Sequence, residues 1–208
     1  MTDSTRIFLI RHALVEAAAR TTAYGSLDVA LCEETLAAER PAHAWLGARL
    51  PPAARWYCTP LSRTRATAMA IFAAGYPAKD LTPLPALMEQ DLGEWQGMSH
   101  DDFMAMLRDP PHPFWMHAAD ERPPGGESLS DVIDRVGPAV EAVADENQGG
   151  DAVIVAHGGS IRAVLAHAGG LTPHQVLQFS VKNLSLTRLE RDRGHWRIWS
   201  VNEEPPTE

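Results

Sequence analysis

The chain has 208 residues, 45% hydrophobic and 22% charged, so it can bury a sizeable core and is not disordered throughout. Its formal net charge of −9 opposes the counterion-displacing contacts that nucleic-acid binding needs, and repels anionic ligands at long range. A phosphate site in such a chain must act through local cations, within a Debye length of ~8 Å. The polar start, with an apolar run that stops at Ile10, is too short for a signal-peptide core, and no later run is long enough to span a bilayer. No membrane contact is expected, and the expected compartment is the cytoplasm. Cys32 and Cys58 then read as free thiols, and two cysteines do not make a structural zinc site.

Ile7 to Ile10 is a short apolar run of the kind found in a strand buried on both faces, and it ends in Arg11 and His12. The carboxyl end of a central strand in an open α/β sheet opens into a ligand crevice, which makes this cation and imidazole a candidate anion site. Val15 to Thr22 reads as a loop and Tyr24 to Asp28 as a turn. A helix is predicted over Glu33 to Leu50, kinked or split at Pro41 and stopped by Pro51-Pro52. Arg55 to Thr59 reads as a second buried strand. The helix after it is predicted to begin at Pro60 and reach Ala74. Arg63 and Arg65 sit in its first turns, where cations oppose the helix dipole. A bound anion would relieve that conflict at Arg63, while Arg65 reads as solvated.

Leu81 to Leu87 is proline-broken and reads as an edge strand, followed by Glu89 and Gly93-Glu94-Trp95-Gln96-Gly97. A short helix is predicted over Ser99 to Arg108 with Ser99 as cap. Asp109 to Gly126, rich in Pro, His and aromatics, reads as an irregular cap over the crevice, and His112 and His117 lack the spacing of a helical metal pair. Ser128 to Asn147 is an amphipathic helix closed by Gly149-Gly150. Asp151 to Ala156 is a third buried strand running into His157-Gly158-Gly159, with a helix predicted over Ser160 to His167. Leu184 to Leu189 and Trp196 to Val201 form a hairpin around Asp192-Arg193-Gly194, and the tail from Glu203 to Glu208 reads as frayed.

Three strand-to-helix junctions therefore offer cations or imidazoles to one edge, with Glu89 nearby. Imidazole can act as a nucleophile, guanidiniums hold phosphoryl oxygens in fork geometry, and a carboxylic acid can protonate a leaving alkoxide and then deprotonate water. Charge-assisted hydrogen bonds contribute roughly 1.5–3 kcal/mol each, enough to outweigh the negative overall field. Gly158-Gly159-Ser160-Ile161-Arg162 lacks the last glycine of a serine hydrolase's nucleophile elbow, so Ser160 reads as a helix-start residue.

Over nearly its whole length the chain resembles the histidine phosphatase superfamily, which contains cofactor-dependent phosphoglycerate mutases and many small phosphatases. The resemblance rests on Arg11-His12-Ala13, Thr59-Pro60-Leu61-Ser62-Arg63-Thr64, Glu89 with Gly93 to Gly97, Gly126-Glu127-Ser128 and Ala156 to Gly159, all in family order. It implies a three-layer α/β/α fold with a mostly parallel sheet, phosphoglycerate mutase-like. The organisation expected is a single domain over 1–208 with a cap-like insertion at about 98–126. His12 would be the nucleophile, Glu89 the acid and base, and Arg11, Arg63 and His157 phosphate ligands, with no metal or cofactor. Tyr24, Gly25 and Gly158 would lie near substrate. The expected partner is a small-molecule phosphate ester, while the oligomeric state is not legible.

Three positions depart from the family pattern: Ala13 for Gly, Ala18 for a phosphate-contacting Asn, and Thr35 for Gly. The readings in contention are a metal-independent phosphomonoesterase, a phosphoglycerate mutase-type transferase, and a phosphate-binding relative without turnover. The shortness of Asp109 to Gly126 and its lack of lysine favour hydrolysis. Tyr24 to Leu31 resembles a segment of phosphatases acting on α-ribazole phosphate, and Phe114, Trp115 and Met116 are candidates for stacking a ring-bearing substrate.

Overall fold

Successive apolar side chains of the central strands point alternately into two helical layers. The computed structural model describes residues 4–206. Its strands are β1 (Thr5–Arg11), β2 (Arg55–Cys58), β3 (Leu81–Pro83), β4 (Asp151–Ala156), β5 (Leu186–Asp192) and β6 (His195–Glu203). Its helices are α1 (Glu33–Ala38), α2 (Arg40–Gly47), α3 (Ser62–Ala73), α4 (His100–Met106), α5 (Leu129–Glu146), α6 (Gly158–Gly169) and α7 (Pro173–Val176). The six strands lie in the order β3-β2-β4-β1-β5-β6, the first four mutually parallel and the last two antiparallel.

On one face Ile7, Leu9, Tyr57 and Ile154 pack under Val132, Val136 and Val140 of α5 and Ile161 and Leu165 of α6. On the other, Phe8, Ile10, Trp56 and Val155 meet Leu46 of α2 and Ala68 and Ile71 of α3. Burial of each large aliphatic or aromatic side chain stabilises the fold by about 1.5–3 kcal/mol. This is the three-layer α/β/α arrangement with a mostly parallel sheet.

Several boundaries differ from the sequence reading. Pro41 splits the long helix: α1 ends at Ala38, and the proline falls in the first turn of α2, where its missing N–H is not needed. α3 starts at Ser62 and not at Pro60, and α6 starts at Gly158, two residues earlier than expected, and runs on to Gly169. α7, which has a Thr172/Gln175 capping box, is too short to show periodicity. Of the tail read as frayed, Glu203 belongs to β6 and Glu204 pairs with Lys182, while positions 207 and 208 lie outside the described residues. The hairpin turn holds Arg193 at φ 49° and Gly194 at φ 78°, the two left-handed residues a tight hairpin of this twist requires.

Residues 107–127 contain neither helix nor strand. The segment is fixed from inside by Glu121, whose buried carboxylate accepts the Arg108 N–H at 2.7 Å. No helix among the described residues is long and apolar enough to cross a membrane.

Candidate active site

Strand register brings the two histidines together. Arg11 of β1 stands opposite Ala156 of β4, so the next residue of each parallel strand emerges at the same level. The His12 N–H donates to Ala156 O at 3.0 Å, and the His12 and His157 rings lie 5.2 Å apart between centroids, edge to face. β2 ends beside β4 at the Cys58–Val155 pair, which puts the Thr59 hydroxyl 2.9 Å from His157 Nε2. The first turn of α3 delivers Arg63, fully buried, with Nε 3.3 Å from His157 Nδ1. Arg63 also donates to Leu27 O at 2.6 Å and Gly25 O at 2.9 Å, which ties it to the 24–28 turn. The start of α3, read from sequence as a waiting anion site, is already capped. Asp28 Oδ1 accepts both the N–H and the hydroxyl of Ser62 at 2.7 Å.

These contacts assign the imidazole protons. Ala13 O can only accept, so His12 Nδ1, 2.7 Å away, carries the hydrogen and Nε2 keeps a free lone pair. Burial, and then the Arg11 and Arg63 charges, push the His12 pKa well below its ordinary value and hold the ring neutral. His157, completely buried, is pushed down likewise, by burial first and then by His12 and the arginines. Its Nδ1 accepts from Arg63, so in the neutral ring Nε2–H donates to Thr59 Oγ1, whose hydroxyl lies 3.1 Å from that of Thr64. Both His157 nitrogens are therefore engaged by protein groups.

Glu89 sits at the mouth of α6. Both its carboxylate oxygens lie 3.1 Å from the Gly159 N, and Oε1 also accepts the Gln90 N–H at 3.0 Å. A Cβ on Gly159 would collide with that carboxylate, so any larger residue here must displace the Glu89 side chain. The backbone of this segment is clamped by Arg135, which donates to Met88 O at 3.0 Å and Glu89 O at 3.2 Å while paired with Glu127 at 2.7 Å.

Arg11 donates Nη1 to Val181 O at 2.6 Å, and its Nε–H is buried with no partner in the protein, a donor available to a ligand. Arg162, considered from the sequence only as a misfit in a serine motif, is a third cation here. It is buried, donates to Gly158 O at 3.1 Å and Phe179 O at 3.0 Å, and lies with Cζ 4.6 Å from the Trp115 ring centre. Burial, and then the Arg11 charge, lower its pKa to about 10. Gly158 lies between the two cations: a Cβ there would be 3.3 Å from Arg162 Nη1 and 3.4 Å from Arg11 Cζ. Among the described residues none of Arg11, Arg63 and Arg162 is paired with a carboxylate. Three clustered guanidiniums without a paired anion form a site that an anionic ligand would stabilise.

A crevice of about 530 Å³, measured out to its open mouth, leads to Arg11 and Glu89 and is walled by Tyr24, Gly25, Trp115 and Met116. Gly25 has φ +42° and would meet Gln90 O with any side chain. Of the departures, Ala13 fits: it is fully buried, its N–H donates to Thr67 Oγ1 at 2.9 Å, and its carbonyl pins His12. Ala18 is exposed, and Thr35 donates its hydroxyl to Cys32 Sγ at 3.1 Å. Asn183, absent from the sequence reading, donates Nδ2 to His12 O at 2.8 Å. Among the described residues no group of three or more His, Cys, Asp or Glu could hold a metal ion.

Residues 7–204 match the model of the histidine phosphatase superfamily (branch 1), and the chain belongs to that family. It is 32% identical over 182 residues to a 2,3-bisphosphoglycerate-dependent phosphoglycerate mutase of Brucella canis, covering 84% of this chain and 86% of the relative. Among solved structures it superposes on a mycobacterial protein titled hydrolase 1 with TM-score 0.82 and 29% identity, over 97% of this chain and 100% of that one. It also superposes on a mycobacterial glucosyl-3-phosphoglycerate phosphatase with TM-score 0.79 and 26% identity, again over 97% and 100%. A putative α-ribazole-5′-P phosphatase from Escherichia coli, 19% identical with TM-score 0.78 over 98% of this chain and 99% of that one, shares the fold. The chain is thus a phosphatase or phosphoryl-transfer enzyme of this family.

Proposed function

We propose that the protein hydrolyses small-molecule phosphate monoesters through a phosphohistidine on His12. The observation that carries this reading is the fixed tautomer of His12: Nδ1–H bound to Ala13 O, and Nε2 unprotonated beside Arg11 and Arg63. In the first step the Nε2 lone pair forms the N–P bond as the P–O bond to the alcohol breaks. The alkoxide takes a proton from the Glu89 carboxyl group. In the second step Glu89 removes a proton from water, whose oxygen attacks phosphorus, and the N–P electron pair returns to His12. Arg11, with its free Nε–H, and Arg63 hold the equatorial oxygens. His157 joins them once its tautomer reverses. The Thr59 hydroxyl then rotates to donate to Nε2, Nδ1–H turns to phosphate, and Arg63 Nε exchanges its long 3.3 Å bond for a phosphoryl oxygen.

Chain length does not separate hydrolysis from mutase chemistry, because the Brucella mutase aligns over 86% of its own length. The hydrolytic reading is supported instead by the structural neighbours titled hydrolase and phosphatase, and by a crevice wall with no cation beyond Arg11. Release of inorganic phosphate from 4-nitrophenyl phosphate, lost in His12→Ala, is the expected outcome. Equal release by that variant would refute the proposal.

A further inference from the structure

Past the phosphate end, the crevice wall carries no charge. Its charged members, Arg11 and Glu89, are both committed to the reacting group, and the outer wall is Tyr24, Gln90, Leu92, Trp115 and Met116 with Gly25. Two aromatic rings on this wall are each backed by a guanidinium of the anion site. Tyr24 lies 5.4 Å from Arg63 Cζ, and Trp115 lies 4.6 Å from Arg162 Cζ. Trp115 is also held along its edge and backbone. Its Nε1–H donates to His117 Nε2 at 3.3 Å, and its N–H to His112 O at 3.1 Å. An indole fixed this way loses little freedom when a ligand lies against it. Arg162 does not line the crevice, and its guanidinium is already donating to Gly158 O and Phe179 O behind the indole. Phe114, by contrast, is 68% exposed and not part of the wall.

We infer that the preferred substrates are phosphate monoesters whose alcohol carries a flat, uncharged ring, and that Trp115 is the residue that selects them. This rests on the phosphomonoesterase reading above. A ring laid against Trp115 removes apolar surface from water on both partners and gains stacking geometry. A carboxylate in the same place, as in a phosphoglycerate, loses its water with no cation to replace it. A polyhydroxylated chain finds few hydrogen-bonding groups there, since the buried Gln90 amide already donates to Glu127 O at 2.6 Å.

The test compares phenethyl phosphate, n-butyl phosphate and a phosphoglycerate, whose alkoxide leaving groups differ little in basicity, with the whole protein and with Trp115→Ala and Trp115→Phe. The expected kcat/KM ratio of phenethyl over butyl ester is about tenfold, the order that stacking plus ring burial supplies, and the phosphoglycerate should be the poorest of the three. In Trp115→Ala that ratio should fall towards one, chiefly through KM, and Trp115→Phe should keep most of it. Equal rates on the phenethyl and butyl esters, a ratio unchanged by Trp115→Ala, or preference for the phosphoglycerate would overturn the inference while leaving hydrolysis intact. No phosphate release from any ester, 4-nitrophenyl phosphate included, would instead remove the phosphomonoesterase reading beneath it.

Discussion

Gly159→Ala probes the coupling between α6 and the proposed proton donor. The added Cβ would collide with Glu89 Oε1 and lie 3.3 Å from its Cδ, so the carboxylate must leave the place where the Gly159 N–H holds it. A displacement of about 1 Å at a reacting group typically costs ~10²-fold in rate, and complete loss of general acid–base help costs ~10²–10⁴-fold. Alanine favours the helical backbone over glycine by up to ~1 kcal/mol, so unfolding free energy should change little or rise. Stopped-flow measurements on 4-nitrophenyl phosphate separate the two steps. Nitrophenolate leaves without a proton, so the burst of phenolate should persist, while steady turnover, which needs Glu89 to activate water, falls about 100-fold. An alkyl ester should lose both steps. Turnover within about twofold of the unmodified protein on both substrates would refute the role assigned to Glu89 or its tie to Gly159.

Three further outcomes follow from the same geometry. His12 and His157 are both pushed well below the usual imidazole value, so the folded state binds fewer protons than the unfolded state below about pH 6.5. Stability should therefore fall as pH drops through that value, by up to ~1.4 kcal/mol per pH unit per histidine. Guanidinium unfolding near pH 7 and pH 5.5 should show the decline, and His12→Gln should flatten it; identical midpoints would contradict neutral burial. Thr59→Val leaves the buried His157 Nε2–H without its partner, for an expected loss of about 1–3 kcal/mol in unfolding free energy. Asp28→Ala removes the cap of α3 and loosens the turn whose carbonyls hold Arg63. About 1 kcal/mol of stability should go, together with a higher KM for any phosphate ester; an unchanged KM would show that the turn does not set the position of Arg63.

The strands and the motif residues were legible because each depends on local chemistry. Ile7 to Ile10 and Ala152 to Ala156 are unbroken apolar runs, each followed within two residues by a histidine, and register then sets the two histidines side by side. Two features were hidden because they depend on tertiary return of the chain. Asn183 meets His12 O across 171 residues, and only the antiparallel return into β5 brings it there. Asp28 caps a helix 34 residues away, which no local pattern signals. Arg162 does carry a local signal: its bond to Gly158 O spans four residues of α6, one helical turn, so it points back to the helix mouth. The early start of α6 was missed because glycines usually end helices, whereas Gly158 and Gly159 are retained here for close approach of Arg11, Arg162 and Glu89.

The most direct measurement is rapid acid-free quenching of the protein during turnover of a radiolabelled phosphate monoester, followed by peptide mapping of the label. Acid-labile, base-stable phosphate on His12 Nε2, forming and decaying at rates that account for turnover, is the expected result. Turnover with the label on another residue, or with no phosphoprotein at all, would contradict covalent catalysis by His12.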